Sequence, residues 1–137
     1  MTEGDLLQRI AQTLKQDIGP AVEAEYPKTQ AFMAGVVLQK LGQQLALAPQ
    51  HQRDQAAELT ALIVELNDQL QTIEAPEDLR RTLAEFAQRR DQVTLCSLIE
   101  ALYGARAALS AVNFARLLGR IRETLRADIN RRVAYAS

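Results

Sequence analysis

The chain has 137 residues, of which 47% are apolar, 16 basic and 17 acidic, for a formal net charge of −1. That length and apolar share predict one domain, residues 1–137, with a real core, and exclude a chain held open by self-repulsion. The balanced charge argues against a nucleic-acid binder, and 4% aromatics with no Trp leave cation–π cages and base-stacking platforms poorly supplied.

Thr2 is a helix N-cap with Asp5 at the capping-box distance. Leu6, Leu7, Ile10 and Leu14 then form the stripe of a first helix ending near Ile18. Gly19 is placed to take the left-handed C-terminal position, and Pro20 to stop the helix and start a short turn through Tyr26. Tyr26 then seals the junction. Pro27 suits the first turn of a second helix, where its missing N–H costs nothing. Phe32, Val36, Val37, Leu41 and Leu45 mark the buried stripe of that helix. Gly35 and Gly42 lie seven apart beside it and predict a close helix approach.

Pro49 is read as the end of the second helix. A third then runs from about His51 or Gln52 to Gln71, with Leu59, Leu62, Ile63, Leu66 and Leu70 as its stripe and Glu58 and Glu65 outside it. Pro76 begins a fourth helix, with Glu77 and Asp78 in the first turn and Leu79, Leu83 and Phe86 as its stripe. The stripe changes phase near Arg90. That predicts a break there, with Asp91 capping a fifth helix whose core residues are Leu95, Leu98, Ile99 and Leu102. One unbroken helix from Pro76 to Tyr103 is the alternative. The last helix begins between Ala105 and Asn113 and frays near Ala136, with Leu118, Ile121, Leu125, Ile129 and Val133 as its stripe. No strand periodicity competes. The predicted fold is an all-α bundle of five or six mostly antiparallel helices with short loops around Gly19, Pro49 and Ile73 to Pro76.

Charge is uneven along the chain. Residues 51–100 hold 5 basic and 10 acidic residues, and residues 101–137 hold 7 and 2. An acidic middle helix packing on a basic last helix accounts for this, as do two helices facing water separately. From Val93 to Leu118 the only charges are Glu100, Arg106 and Arg116. This apolar, Ala-rich stretch is read as the centre of the bundle or as an oligomer face.

Chemical motifs are sparse. One His and one Cys exclude a Cys/His zinc site, and no Glu-x-x-His pair supports a di-iron centre. His51 reads as a solvated or capping residue at a helix start. Cys96, among Leu95, Leu98 and Ile99, reads as a buried inert thiol that fits a reducing compartment. No phosphate-binding loop is present. No catalytic, metal or cofactor residue is assigned, and no cofactor is expected. Glu100 lies in the most apolar stretch, where a buried acid needs a partner such as Arg106 or Arg116. With Tyr103 as a donor, these four are the candidate lining of a central pocket. The arginines of the last helix look like a laced flank, with Glu123 and Asp128 as partners, rather than a phosphate-tracking stripe.

The opening residues MTEGDLLQR lack a basic segment followed by an apolar run, and no stretch approaches a membrane span. The expectation is a cytoplasmic, non-catalytic accessory or interaction protein whose partner is itself, as a homodimer, or another protein. Neither nucleic acid nor membrane is expected as a partner. The alternative is a helical bundle that binds, or acts on, an acyl or phosphorylated small molecule.

The segments LLQRIAQTLKQDIGPAVEAEYPKTQAFMAGVVLQKLGQQL (Leu6 to Leu45) and ETLRADINRRVAYA (Glu123 to Ala136) resemble a family of small bacterial all-helical proteins of unknown function. Members of that family resemble genomic neighbours of acyl-CoA dehydrogenases and aminoglycoside-phosphotransferase-like proteins. The resemblance implies an accessory role near acyl-CoA or phosphotransferase metabolism and carries no catalytic motif. This chain differs from the family pattern at EAEYPKTQ, where a more basic, His-containing stretch is usual.

Overall fold

The computed structural model describes residues 1–137 and is all-α, with five joined helices and no strand. Helix α1 starts at Glu3–Thr13, continues through a π-helical stretch, Leu14–Ile18, and ends in the turn Gly19–Ala21. The others are α2 (Glu25–Gln71), α3 (Glu77–Arg89), α4 (Gln92–Gly104) and α5 (Ala111–Ala136). Contacts gather the chain into two compact units: Met1–Arg53 with Val133–Ser137, and Asp54–Arg132. Helices α2 and α5 each contribute to both.

In the unit of residues 54–132, bulky side chains make the core. Leu62, Leu66, Leu83, Phe86, Leu102 and Ile121 are each at most 2% exposed. The predicted stripes of Leu59 to Leu70, Leu79 to Phe86 and Leu95 to Leu102 all turn inward. Two residues, Arg90 and Asp91, join α3 to α4. Arg90 takes the left-handed conformation (φ 51°) and donates to the Thr60 hydroxyl at 2.9 Å. Asp91 accepts from the Thr94 N–H at 2.8 Å and from the Thr94 hydroxyl at 2.7 Å. The break at Arg90 therefore carries both a C-cap and an N-cap. Arg80 closes the end of α2 by donating to the Leu70 and Ile73 carbonyls at 2.8 and 3.0 Å.

The charge asymmetry resolves into packed partners. Glu65 of α2 pairs with Arg120 of α5, and Glu58 pairs with Arg131. Arg131 also reaches Asp128 at 3.2 Å, and Asp128 holds Arg132 at 2.8 Å.

The N-terminal unit is built differently. Thr2 and Asp5 form the predicted capping box. Helix α1 then runs antiparallel to the first half of α2, and the seam is made of small residues. Gly4, Ala11, Gly35 and Gly42 are buried. A Cβ at Gly42 would lie 2.9 Å from the Gly4 carbonyl oxygen, so the two backbones all but touch. A Cβ at Gly35 would lie 3.1 Å from the Ala11 carbonyl.

Three expected breaks are corrected here. Pro49 does not end a helix but lies inside α2. Its missing N–H removes one i→i−4 bond, which ordinarily breaks a helix. Here Tyr135 spans the weak turn. Its hydroxyl donates to the Gln44 carbonyl at 2.7 Å, and its ring stacks on His51 at 4.9 Å. Gly19 is right-handed (φ −53°) and not a left-handed cap. Its N–H bonds the Leu14 carbonyl, the i→i−5 pattern that makes the π stretch. A Cβ there would meet that carbonyl at 2.8 Å. Pro20 falls in the last turn of α1, and the chain breaks at Val22 instead, in extended conformation. Tyr26 is 76% exposed and seals nothing.

Two expected stripes are corrected as well. Phe32, Val36, Val37, Leu41 and Leu45 are 39–55% exposed, because Gly35 and Gly42 occupy the seam. Leu6 and Ile10 are likewise 50% and 41% exposed. At the end of α5, Ile129 and Val133 are 58% and 65% exposed, so its stripe is buried only as far as Leu125.

Candidate interaction surfaces

The candidate residues Glu100, Tyr103, Arg106 and Arg116 do not enclose a central pocket. Leu66, Leu83, Leu98, Leu102, Leu117 and Ile121 meet there and leave only about 10 Å³ of free space. Tyr103 and Arg106 do come together. The Tyr103 ring meets Phe114 edge-on at 5.5 Å, and the Arg106 guanidinium lies 5.1 Å over the same ring. Glu100 is exposed at the edge of a shallow groove with Asp78, Arg81 and Glu85. Arg116 is exposed. No pocket forms because the apolar residues of these helices, not the charged ones, turn inward.

Cys96 is exposed rather than buried, since Thr94, Leu95 and Leu98 take the inward positions of α4. His51 sits in the middle of α2 and not at a helix start. It is partly buried against Tyr135, with Nδ1 lacking a hydrogen-bond partner. No three His, Cys, Asp or Glu side chains gather where they could hold a metal ion. No helix is long and apolar enough to cross a membrane.

Two features do present organised surface. The first is a cleft of about 350 Å³ in the unit of residues 54–132, between α2, the α3–α4 turn and α5. Leu59, Leu62, Phe86, Leu95 and Leu125 form its floor, and Glu58, Arg90, Asp91, Asp128 and Arg132 its rim. The Thr94 N–H and hydroxyl, and then Arg89, hold the Asp91 carboxyl below the usual carboxylate range. That rim position is therefore an anion at neutral pH.

The second is one flank of the N-terminal hairpin. Gln8, Gln12 and Lys15 project to one side of the seam, where Lys15 donates to Gln39 at 2.7 Å and lies 5.5 Å over the Phe32 ring. By helical periodicity Leu6, Ile10 and Leu14 of α1, with Val37, Leu38, Leu41 and Leu45 of α2, project to the other. The first flank mixes these polar groups with the exposed Phe32 and Val36, and the second is apolar. The backbones approach through glycine, so the hairpin has no interior for these large side chains. Spacing alone read them as buried; the signal that they are not is the Gly35–Gly42 pair on the adjoining face.

No family model, curated protein or solved structure matches the chain.

Proposed function

We propose that the chain is a non-catalytic interaction module that docks protein through the apolar flank of its N-terminal hairpin, with residues 54–132 as a self-sufficient structural body. The observation that carries this reading is the row Leu6, Ile10, Val37, Leu41 and Leu45, all 41–55% exposed, which helical periodicity puts on one flank. Contiguous apolar surface of this kind marks interaction sites, whereas scattered single residues do not. The family resemblance suggests an accessory role beside enzymes of acyl-CoA or phosphotransferase metabolism, and a cytoplasmic setting belongs to the same proposal.

The test is the native mass of the protein extracted gently from its own cells. The wild-type chain should run well above monomer mass, and Val37→Glu with Leu41→Glu should return it to monomer. A wild-type chain that runs as a bare monomer would remove the basis of the reading.

The 350 Å³ cleft favours a second reading. Its volume falls at the lower end of small-molecule sites, and its floor is apolar with a charged rim. An acyl chain fits that chemistry better than a phosphorylated ligand, because three of the five charged rim residues are carboxylates. Saturable binding of a fluorescent fatty-acid analogue, abolished by filling the floor with Leu125→Trp, would support it. Binding that Leu125→Trp leaves unchanged would not.

A further inference from the structure

The hairpin flank points to a particular partner. We infer that it is the contact surface of a two-fold homodimer, in which two hairpins pack apolar flank to apolar flank as a four-helix bundle; this rests on the interaction reading above.

Three observations select a second copy. The first is area. Leu6, Ile10, Ile18, Val37, Leu41 and Leu45 are 41–55% exposed. Together they leave on the order of 500 Å² of apolar surface, at the upper end of monomer patches and more than half of the ~800 Å² each partner gives to a standard interface. Partly buried Leu7, Leu14 and Leu38 beside them, with the polar rim, supply the remainder.

The second is charge. The apolar row itself carries no ionised group, and Glu3, one turn before Leu6 and Leu7 on the same helix face, stands at its end, so two copies can meet with that carboxylate left at the rim. The unit of residues 1–53 and 133–137 holds five basic and five acidic residues. It therefore has no net charge to repel its copy or to steer toward a strongly charged partner. The third is shape. A hairpin of two antiparallel helices with one apolar flank is half of a four-helix bundle. A two-fold axis makes such a flank complementary to itself, as an isologous interface requires.

The interface inferred here lies on the hairpin and not on the Ala-rich stretch of residues 93–118. There Ala105 and Leu109 are already buried in their own unit, at 4% and 6% exposure.

The experiment is sedimentation velocity on the purified full chain over a concentration series, with circular dichroism as the check on folding. The wild-type chain should sediment at twice monomer mass at micromolar concentration. Val37→Glu with Leu41→Glu should sediment as a monomer of unchanged helix content. Val112→Glu, at a 65% exposed position of the other unit, should remain a dimer. A dimer that survives the hairpin substitutions, or is lost in Val112→Glu, overturns the inference.

A wild-type monomer overturns it too, and thiol labelling then decides whether the broader reading falls with it. With Leu41→Cys in a Cys96→Ser background, the thiol should label more slowly as concentration rises if the dimer is real. In a monomeric chain, slow labelling in cells with fast labelling after purification would leave the interaction reading standing with a different protein. Fast labelling in both would remove both.

Discussion

Among residues 54–132 the buried positions are large, with Leu62, Leu83, Phe86, Leu102 and Ile121 at 1–2% exposure. Among residues 1–53 the buried positions are Gly4, Ala11, Gly19, Gly35 and Gly42, and the large apolar residues are exposed or, like Leu7, Leu14 and Leu38, only partly buried. Both regions are helical and both carry regular apolar spacing. What differs is what sits at the contact. Where bulky residues occupy it, helices interdigitate and the stripe is core. Where glycine occupies it, the backbones close onto each other and the stripe is expelled to the flank. The first kind of unit turns its bulkiest apolar residues inward, with Val64, Val93, Tyr103, Val112 and Ile129 left exposed. The second exports its stripe, which is why the interaction reading rests there.

Truncating one aromatic in each region should separate the two most strongly. Phe86→Ala should destabilise the chain by about 3–5 kcal/mol, as a large cavity in a closed core does. Phe32→Ala, at a position 50% exposed, should change monomer stability by roughly 0.5 kcal/mol or less. Denaturant titration of both variants at low concentration reads the contrast. Equal losses would mean that the hairpin has a core after all.

Next in size is the seam. Gly42→Val should cost about 1–3 kcal/mol, because its side chain would meet the Gly4 carbonyl oxygen as well as the Gln8 side chain at 2.9 Å, and the backbone oxygen cannot swing aside. Amide exchange should quicken in residues 3–21 and stay unchanged in residues 79–121. A smaller effect separates two arginines of α5. Arg131, with its side chain 14% exposed between Glu58 and Asp128, should cost about 1–2 kcal/mol on change to Met. Arg132, at 61%, should cost below about 0.5 kcal/mol.

The smallest effect is a pH dependence. Asp91 is held below the usual carboxylate range by its Thr94 bonds. A depressed folded-state pKa adds stability that is present above the unfolded value, about 3.9, and is lost as pH falls through the lower folded value. Asp91→Ala should therefore lower the melting temperature at pH 7, and the gap to wild type should close at strongly acid pH. A gap that is constant down to acid pH would show that the carboxylate's charge contributes nothing.

The C-terminal unit was legible in the sequence because bulk, spacing and burial coincide there. Leu62, Leu66 and Leu70, then Leu79, Leu83 and Phe86, declare the same faces that the fold buries. The Arg90 break was legible from the phase of the stripe, and both caps from Thr2 and Asp91. The hairpin was legible only in part: Gly35 and Gly42 announced the close approach, but periodicity counts large apolar residues and read Phe32 to Leu45 as the buried face. Neither proline's neighbourhood was legible, because what packs or winds beside each is remote or irregular. Tyr135 lies far along the chain from Pro49, and the π stretch before Pro20 has no signature in spacing. Of the four candidate residues, Tyr103 and Arg106 meet only through Phe114, which no charge pattern singled out.

The most direct test asks whether the hairpin row of Leu6, Ile10, Val37, Leu41 and Leu45 is covered by a second copy in solution. The measurement is hydrogen exchange of the wild-type chain at two concentrations a hundredfold apart. Protection in residues 3–21 and 34–45 should rise with concentration, while residues 62–121 stay equally protected at both. Hairpin amides as protected as those of the C-terminal unit, and indifferent to concentration, would contradict that cover.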